Sequence, residues 1–296
     1  MDEQFAEGNF LGLPDPGGPA DVIIAPVPYE LTTSYGQGTV EGPVSCIEAS
    51  SQVELYDTLL EEELPAGKVI RTAEPWSGEG ATLQDQLNAI GEYASEHYRS
   101  GAFPIFLGGE HGMLPGILRG CPEKVTLIQI DAHADLRDEL DGEAYSHACA
   151  IARSLDEGAI AVHQVGIRAY CRQEATLIDN DERIHTWFAR DIMSPCTGAK
   201  AWSEWLESLK NIDGPVHLTV DIDGLDGSLV PATGTPVPGG LTFWHAVETI
   251  ETVFANCEVI SADVNEIVPQ VDTPLTQFTA AMIATKISAA HIATLR

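Results

Sequence analysis

Six side chains in three short stretches have the types and spacing to hold metal ions: His111; Asp131, His133 and Asp135; Asp221 and Asp223. In extended chain, residues two apart face the same side, so D-x-H-x-D and D-x-D can each aim their donors at one point. Four carboxylates gathered this closely repel one another and drive their pKa values upward unless counter-charge is supplied. Two divalent cations would supply it. The donors are oxygen-rich with two imidazoles, a borderline-hard set that suits manganese better than a thiolate-loving zinc site. Nickel and cobalt stay open, and calcium is disfavoured because it prefers oxygen alone. An isolated Asp after a strand is ordinarily a turn former or helix cap and an isolated His structural, which is how Asp226 and His163 are read.

These residues need a scaffold that brings distant stretches to one rim. Short apolar runs at Asp21–Pro26, Phe103–Leu107, Val125–Ile130, Ala159–Val165, Val216–Val220 and Val259–Ala262 read as strands buried on both faces. Helical stretches at Leu83–Ser100, Ser203–Leu209, Thr242–Phe254 and Gln277–Thr294 lie between and after them. The alternation predicts an α/β fold, a parallel sheet between helical layers. With no linker and no repeat, residues 21–296 read as one domain and residues 1–20, acidic and rich in Gly and Pro, as an N-terminal extension. The motifs follow four of the strands: Gly108-Gly109-Glu110-His111, Asp131 to Asp135, Asp221 to Asp223, and Glu266. In an open α/β sheet, ligands bind outside the carboxyl ends of the strands. The Gly- and Thr-rich stretch from Thr32 to Pro43 reads as a long loop bordering that rim.

Composition narrows the partners. The 296 residues carry 45 Asp+Glu against 15 Lys+Arg, a formal charge of −30. Nucleic acid and anionic membranes would be repelled, whereas metal ions, amines and guanidinium groups would be drawn in. No apolar run reaches the ~18 residues that span a bilayer. The N-terminus is unlike a signal peptide, and six scattered cysteines without CxxC spacing read as reduced thiols of a cytoplasmic protein.

The three motifs, with Pro231-Ala232-Thr233-Gly234-Thr235-Pro236 after the Asp-x-Asp stretch, resemble the ureohydrolase family of arginases and agmatinases. Val27-Pro28-Tyr29, Gly166-Ile167-Arg168 and Asp263-Val264-Asn265-Glu266 fit the same pattern, in the same order from about Asp21 to the C-terminal helix. The resemblance implies an arginase-like three-layer αβα sandwich and a hydrolase that frees urea from a guanidino compound at two metal ions, Mn(II) foremost. It implies that Asp131 and Asp221 bridge the ions, that His111 and Asp135 complete one shell and that His133 and Asp223 complete the other. Such a pair can lower the pKa of a shared water enough to supply hydroxide near neutral pH. Glu266 would grip the guanidinium through paired hydrogen bonds, His147 would bind substrate and shuttle a proton to the departing amine, and Asp135 would accept the proton of the attacking hydroxide. Family members are usually homo-oligomers, often trimers or hexamers. Gly112, Thr219 and Gly227 depart from the pattern, standing for a small hydroxyl residue, a serine and a proline, and Gly112 would loosen the support of His111.

The stretch between Asp135 and His147 bears on the substrate. Arginases hold an α-carboxylate there with uncharged polar residues and place an acid three residues after the Gly-x-Arg arginine; this chain has Cys171 at that place. Asp138, Glu139, Asp141 and Glu143 would repel a carboxylate, unless Arg137 pairs with it, and attract an ammonium tail. Agmatine is therefore expected, giving putrescine and urea, with guanidinobutyrate, guanidinopropionate, guanidine and arginine as alternatives. A two-metal phosphoesterase would want an Asn-His element, which the sequence lacks. A catalytically silent metal-binding subunit is opposed by the complete donor set and by His147.

Overall fold

The structure, a computed structural model, describes residues 8–78 and 80–296. Ten strands and nine helices occur among them. The strands are β1 (Val22–Val27), β2 (Tyr56–Asp57), β3 (Glu62–Glu63), β4 (Ile70–Thr72), β5 (Phe103–Gly108), β6 (Val125–Ile130), β7 (Ala159–Ile167), β8 (Ile184–Phe188), β9 (Pro215–Asp221) and β10 (Glu258–Asn265). The helices are α1 (Gly42–Ser50), α2 (Leu83–Arg99), α3 (Leu114–Gly120), α4 (Ala150–Glu157), α5 (Arg172–Asn180), α6 (Ala189–Ile192), α7 (Gly198–Leu209), α8 (Phe243–Asn256) and α9 (Leu275–Thr294).

Eight strands form one sheet in the order β4-β1-β5-β10-β9-β6-β7-β8, every pair parallel. Side chains alternate across a strand, so a strand covered on both faces must be apolar throughout. β1 does this: Val22 and Ile24 join the core shared with α1, α7, α8 and α9, while Ile23, Ala25 and Val27 join the one facing α2 and α3. A third apolar cluster, with Leu118 of α3 and Ile151 and Leu155 of α4, closes the second face. The result is the expected α/β sandwich of three layers.

α2 starts where its sequence says it should. Thr82 accepts a hydrogen bond from Asp85 N–H, and the Asp85 carboxylate accepts from Thr82 N–H. A cap of this kind contributes ~1 kcal/mol to the helix.

The sequence reading missed β4 and β8 because both are edge strands, β4 three residues long and β8 only half-buried along most of its length. It missed α1 and α3 because Gly-Pro and Leu-Pro-Gly read as turns, although proline is tolerated in a first helical turn. The long loop expected from Thr32 to Pro43 is shorter, since a 3₁₀ turn begins at Thr39 and α1 at Gly42. The segment set apart as 1–20 is described from Gly8, and its Phe10, Leu11 and Leu13 are buried in the main core.

Candidate metal centre

The four central strands of the sheet, β5-β10-β9-β6, are consecutive neighbours, and each delivers polar side chains at its carboxyl end. His111 follows β5, Glu266 follows β10, Asp221 and Asp223 close β9 and Asp131 to Asp135 follow β6. Local backbone differs from the extended chain assumed from the spacing. Ile222–Gly224 is a 3₁₀ turn in which the Asp221 carboxylate accepts Asp223 N–H at 2.9 Å. Asp135 (φ 53°) and Glu266 (φ 59°) are left-handed, a conformation that costs a non-glycine residue ~1–3 kcal/mol and is characteristic of working sites. Neighbours fix both: Asp135 C=O accepts Ile151 and Ala152 N–H, and Glu266 N–H donates to Gly109 C=O. Gly109 has no alternative, because a Cβ there would lie 2.0 Å from Tyr29 O.

All six expected donors come together. His111 Nδ1 lies 3.0 Å from Asp135 Oδ2, 3.2 Å from Asp131 Oδ2 and 3.8 Å from Asp221 Oδ2. His133 Nδ1 lies 3.1 Å from Asp223 Oδ2 and 3.7 Å from Asp131 Oδ1. Two groups result, His111/Asp131/Asp135 and Asp131/His133/Asp223, each with donor atoms within 4.8 Å of one another and with Asp131 common to both. The residues fit a pair of hard-to-borderline divalent cations. Nδ1 of His111 is buried without a hydrogen-bond partner while facing three carboxylates, an arrangement that asks for a cation between them.

Charge is concentrated and unbalanced here. Burial, then the charge of Asp131, pushes Asp135 up to about 6. Burial with the charges of Asp223, Asp131 and Glu266 raises Asp221 well above the carboxylate range. Burial also raises Glu266 to about 8, against the hydrogen bond from His111 N–H. Burial opposes charge on the imidazoles, yet the surrounding carboxylates overcome it and lift His133 to about 11 and His111 well above its usual value. Asp131, which burial would raise, is held low by both imidazoles.

Buried hydrogen-bond chains set the donors in place from beneath. His111 Nε2 is 2.9 Å from Thr219 Oγ1, and that hydroxyl donates to Asp263 Oδ1 at 3.0 Å. With the hydroxyl proton committed to Asp263, His111 must be the donor, which leaves the Nδ1 lone pair for a cation. Asp263 Oδ2 is 2.7 Å from His217 Nε2, and His217 Nδ1 is 2.7 Å from Ser261 Oγ. On the other side Gln129 donates to Asp131 Oδ2, Gln164 donates to Gln129, and Thr186 donates to Gln164. Arg168 donates to the carbonyls of Asp223, Gly224 and Leu225 and so pins the Asp-x-Asp turn. None of these roles was read from sequence. The signal was present in His217 and Thr219 within Val-His-Leu-Thr-Val, and Gln129 within Leu-Ile-Gln-Ile: polar residues inside runs that must be buried.

Above the donors is a cavity of about 250 Å³, lined among others by Ser34, Asp135, Arg137, Leu140, His147 and Glu266. His147 Nε2 is 3.3 Å from Ser34 Oγ, and burial together with the nearby imidazoles lowers its pKa to about 4. Glu266 Oε1 accepts His111 N–H at 2.8 Å, while Oε2 faces Gly234, where a Cβ would meet it at 2.9 Å. Glu110, whose role the sequence does not reveal, is fully buried and anchors the overlying loop by accepting Leu31 N–H, Thr32 N–H and the Thr32 hydroxyl.

The departures from the family pattern find their settings. Thr219 supplies the hydroxyl beneath His111. Gly112 touches neither ring nitrogen of His111, and Thr32 Oγ1 bridges Glu110 Oε1 and His147 N–H beside it. Gly227 has open space where a side chain would go, in a turn held by Asp226, which accepts Ser228, Gly239 and Gly240 N–H as a structural acid. His163 lies parallel to Trp187 and tilted against His185, and it lines neither donor group nor the cavity above them. Cys171 precedes α5, donating its N–H to Glu174, and does not line the cavity. All six cysteines are free.

One expectation fails. None of the four acids between Asp135 and His147 lines the metal-site cavity, whereas Arg137 does. Asp138 turns to Arg153 at 3.0 Å, Glu139 is exposed, and Asp141 and Glu143 line a neighbouring cavity. The sequence shows that acids are near but not which way a hairpin turns them.

Comparison with known proteins agrees with the architecture. The model of the arginase family matches residues 20–289. An N(1)-aminopropylagmatine ureohydrolase of Synechocystis is 32% identical over 282 residues, covering 90% of this chain and 88% of its own. An agmatinase of Pyrococcus horikoshii is 33% identical, with 84% of each covered. Among solved structures, proclavaminate amidino hydrolase of Streptomyces clavuligerus superposes with a TM-score of 0.86 at 22% identity over 99% of both chains. Agmatine ureohydrolase of Thermoplasma volcanium does so at 0.81 and 24% identity, over 100% of this chain and 96% of its own.

Proposed function

The chain belongs to the arginase family, a family of ureohydrolases with a two-metal centre, and from that premise we propose that it hydrolyses agmatine to putrescine and urea with two Mn(II) ions. The observation that carries this reading is the single carboxylate, Asp131, shared by two three-residue donor groups at the ends of the central strands. His111, Asp135, Asp131 and Asp221 would hold one ion, and His133, Asp223 and the same Asp131 and Asp221 the other. Bound there, two divalent cations would neutralise the carboxylates and acidify a water so that it adds to carbon near neutral pH.

The chain's own residues do the rest. Glu266 receives the guanidinium: Oε1 is committed to His111 N–H and keeps a lone pair, Oε2 is open, and the pair matches the fork of a guanidinium. Asp135, buried and at the cavity wall, takes up the proton released as oxygen bonds to the guanidinium carbon. His147, held at Ser34, gives a proton to the departing nitrogen as the C–N bond breaks. Urea and a primary amine leave. Among the described residues no helix is long and apolar enough to cross a membrane. Residues 21–296 are read as a single ureohydrolase domain, working in the cytoplasm as a homo-oligomer.

Arg137 on the cavity wall favours a second reading, a guanidino acid such as guanidinobutyrate, whose carboxylate would pair with it. Glu174 weakens that reading by standing 3.8 Å from Arg137 Nε. The test is urea release from agmatine, arginine, guanidinobutyrate, guanidinopropionate and guanidine with added manganese. Agmatine is expected to be the best of these five. Preference for guanidinobutyrate would transfer the assignment to the second reading, and no urea from any of them would remove both.

A further inference from the structure

The 3₁₀ turn His147–Cys149 opens on a backbone N–H that has no partner inside the turn, as at any helix start. The preceding Ser146 does not cap it with its side chain. The partner comes from a distant stretch: His147 N–H donates to Thr32 Oγ1 at 2.9 Å. That hydroxyl in turn donates to Glu110 Oε1 at 2.7 Å, while Glu110 Oε2 accepts Thr32 N–H at 2.8 Å and Leu31 N–H at 3.0 Å. Glu110 is fully buried and directly precedes His111. A hydroxyl has one proton to give and lone pairs to accept with, so Thr32 serves both neighbours at once.

Gly112 leaves the gap that Thr32 bridges. A Cβ on Gly112 would lie 3.1 Å from Glu110 Oε1, 3.4 Å from His147 N and 3.5 Å from His147 Cα. A short side chain there would enter the same space between carboxylate and backbone N–H. It is also the position at which this chain lacks the small hydroxyl residue of the ureohydrolase pattern.

We propose that Thr32 is a positioning residue for His147, its hydroxyl supplying from the overlying loop what a hydroxyl at position 112 would supply from beside His111. Ser34 Oγ, on the same loop, meets Nε2 of the His147 ring at 3.3 Å. The imidazole is thus held at its backbone by Thr32 and at its ring by Ser34. Misplacing a reacting group by ~1 Å costs about a hundredfold in rate. The proposal rests on the reading of His147 as the proton donor.

The experiment measures kcat, KM and bound manganese for Thr32→Val, Thr32→Ala, Thr32→Ser and Thr32→Ala/Gly112→Ser, with the best guanidino substrate of the panel. Thr32→Val and Thr32→Ala are expected to lose ~10–100-fold in kcat, with KM and metal content little changed. Thr32→Ser and the double variant should recover most of that loss. The decisive comparison repeats Thr32→Val in a His147→Asn background. A residue that acts through His147 costs nothing further once that imidazole is gone, whereas a merely structural one costs the same in both backgrounds. Equal losses in both backgrounds, or a double variant no better than Thr32→Ala, would overturn the proposal while the proton-donor reading stood. Parent turnover in His147→Asn alone would take both down.

Discussion

Nε2 of His111 donates to Thr219, and Thr219 donates to Asp263, so a carboxylate on β10 fixes which nitrogen of a β5-end imidazole faces the metal site. Thr219→Val removes the hydroxyl at nearly constant volume, leaves His111 Nε2 without its partner and leaves Asp263 Oδ1 only the hydrogen bond from Asn265. Metal affinity is expected to fall ~10–100-fold, with ~1–3 kcal/mol of stability lost, while Thr219→Ser should restore both. Metal titration beside urea unfolding reads the pair of effects. Full affinity in Thr219→Val would show that the hydroxyl does not orient the ring.

Asp131 lies in both donor groups, and Asp221 is assigned with it as a bridge. Asp131→Ala and Asp221→Ala should each empty both metal positions and abolish urea release. Elemental analysis of dialysed protein checks this directly. Two ions per chain retained in either variant would refute that bridge.

His147 lines the cavity without belonging to either donor group. His147→Asn should therefore keep its metal and lose ~10²–10⁴-fold in kcat, the scale of a positioned general acid. Unchanged turnover at full metal content would return His147 to a wall residue.

His291 of α9 stacks on Phe103 with ring centroids 4.2 Å apart, and burial lowers its pKa to about 4. The folded value lies below the unfolded one near 6.5, so the unfolded chain takes up the proton first. Its contribution is a loss of stability that begins as pH falls below about 6.5 and is complete below the folded pKa. In His291→Gln, stability should decline less between pH 7 and pH 5 than in the parent, measured by urea unfolding at both. Parallel declines would show that the ring titrates normally in the fold.

Much of this was legible before the fold was known, and the reason is physical. A sheet covered on both faces needs unbroken apolar runs, so β1, β5, β6 and β9 announced themselves, and so did the acids that end the runs. Edges carry weaker signals: β4 and β8 lack double burial. Convergence of the donors was expected from strand pleating, but the 3₁₀ turn at Ile222 and the left-handed Asp135 are what bring them together. Spacing specified which residues meet and not the backbone by which they do. The hydrogen-bond chains below the centre depend on register between distant strands, such as Thr219 beside Asp263 and Gln129 beside Gln164. No local pattern encodes such pairs.

The stretch from Asp135 to His147 begins at a metal donor, passes Arg137, turns at Asp141-Gly142 and ends at the proposed proton donor. Two wall residues of the metal-site cavity, Arg137 and Leu140, thus share one short ribbon with Asp135 and His147, whereas the remaining donors follow other strands of the sheet. Lengthening or shortening the tip by a residue would re-aim its side chains while His111, Asp131, Asp221 and Asp223 kept their places. The wall of the cavity could be recast by editing that ribbon alone, with the donors on the sheet untouched.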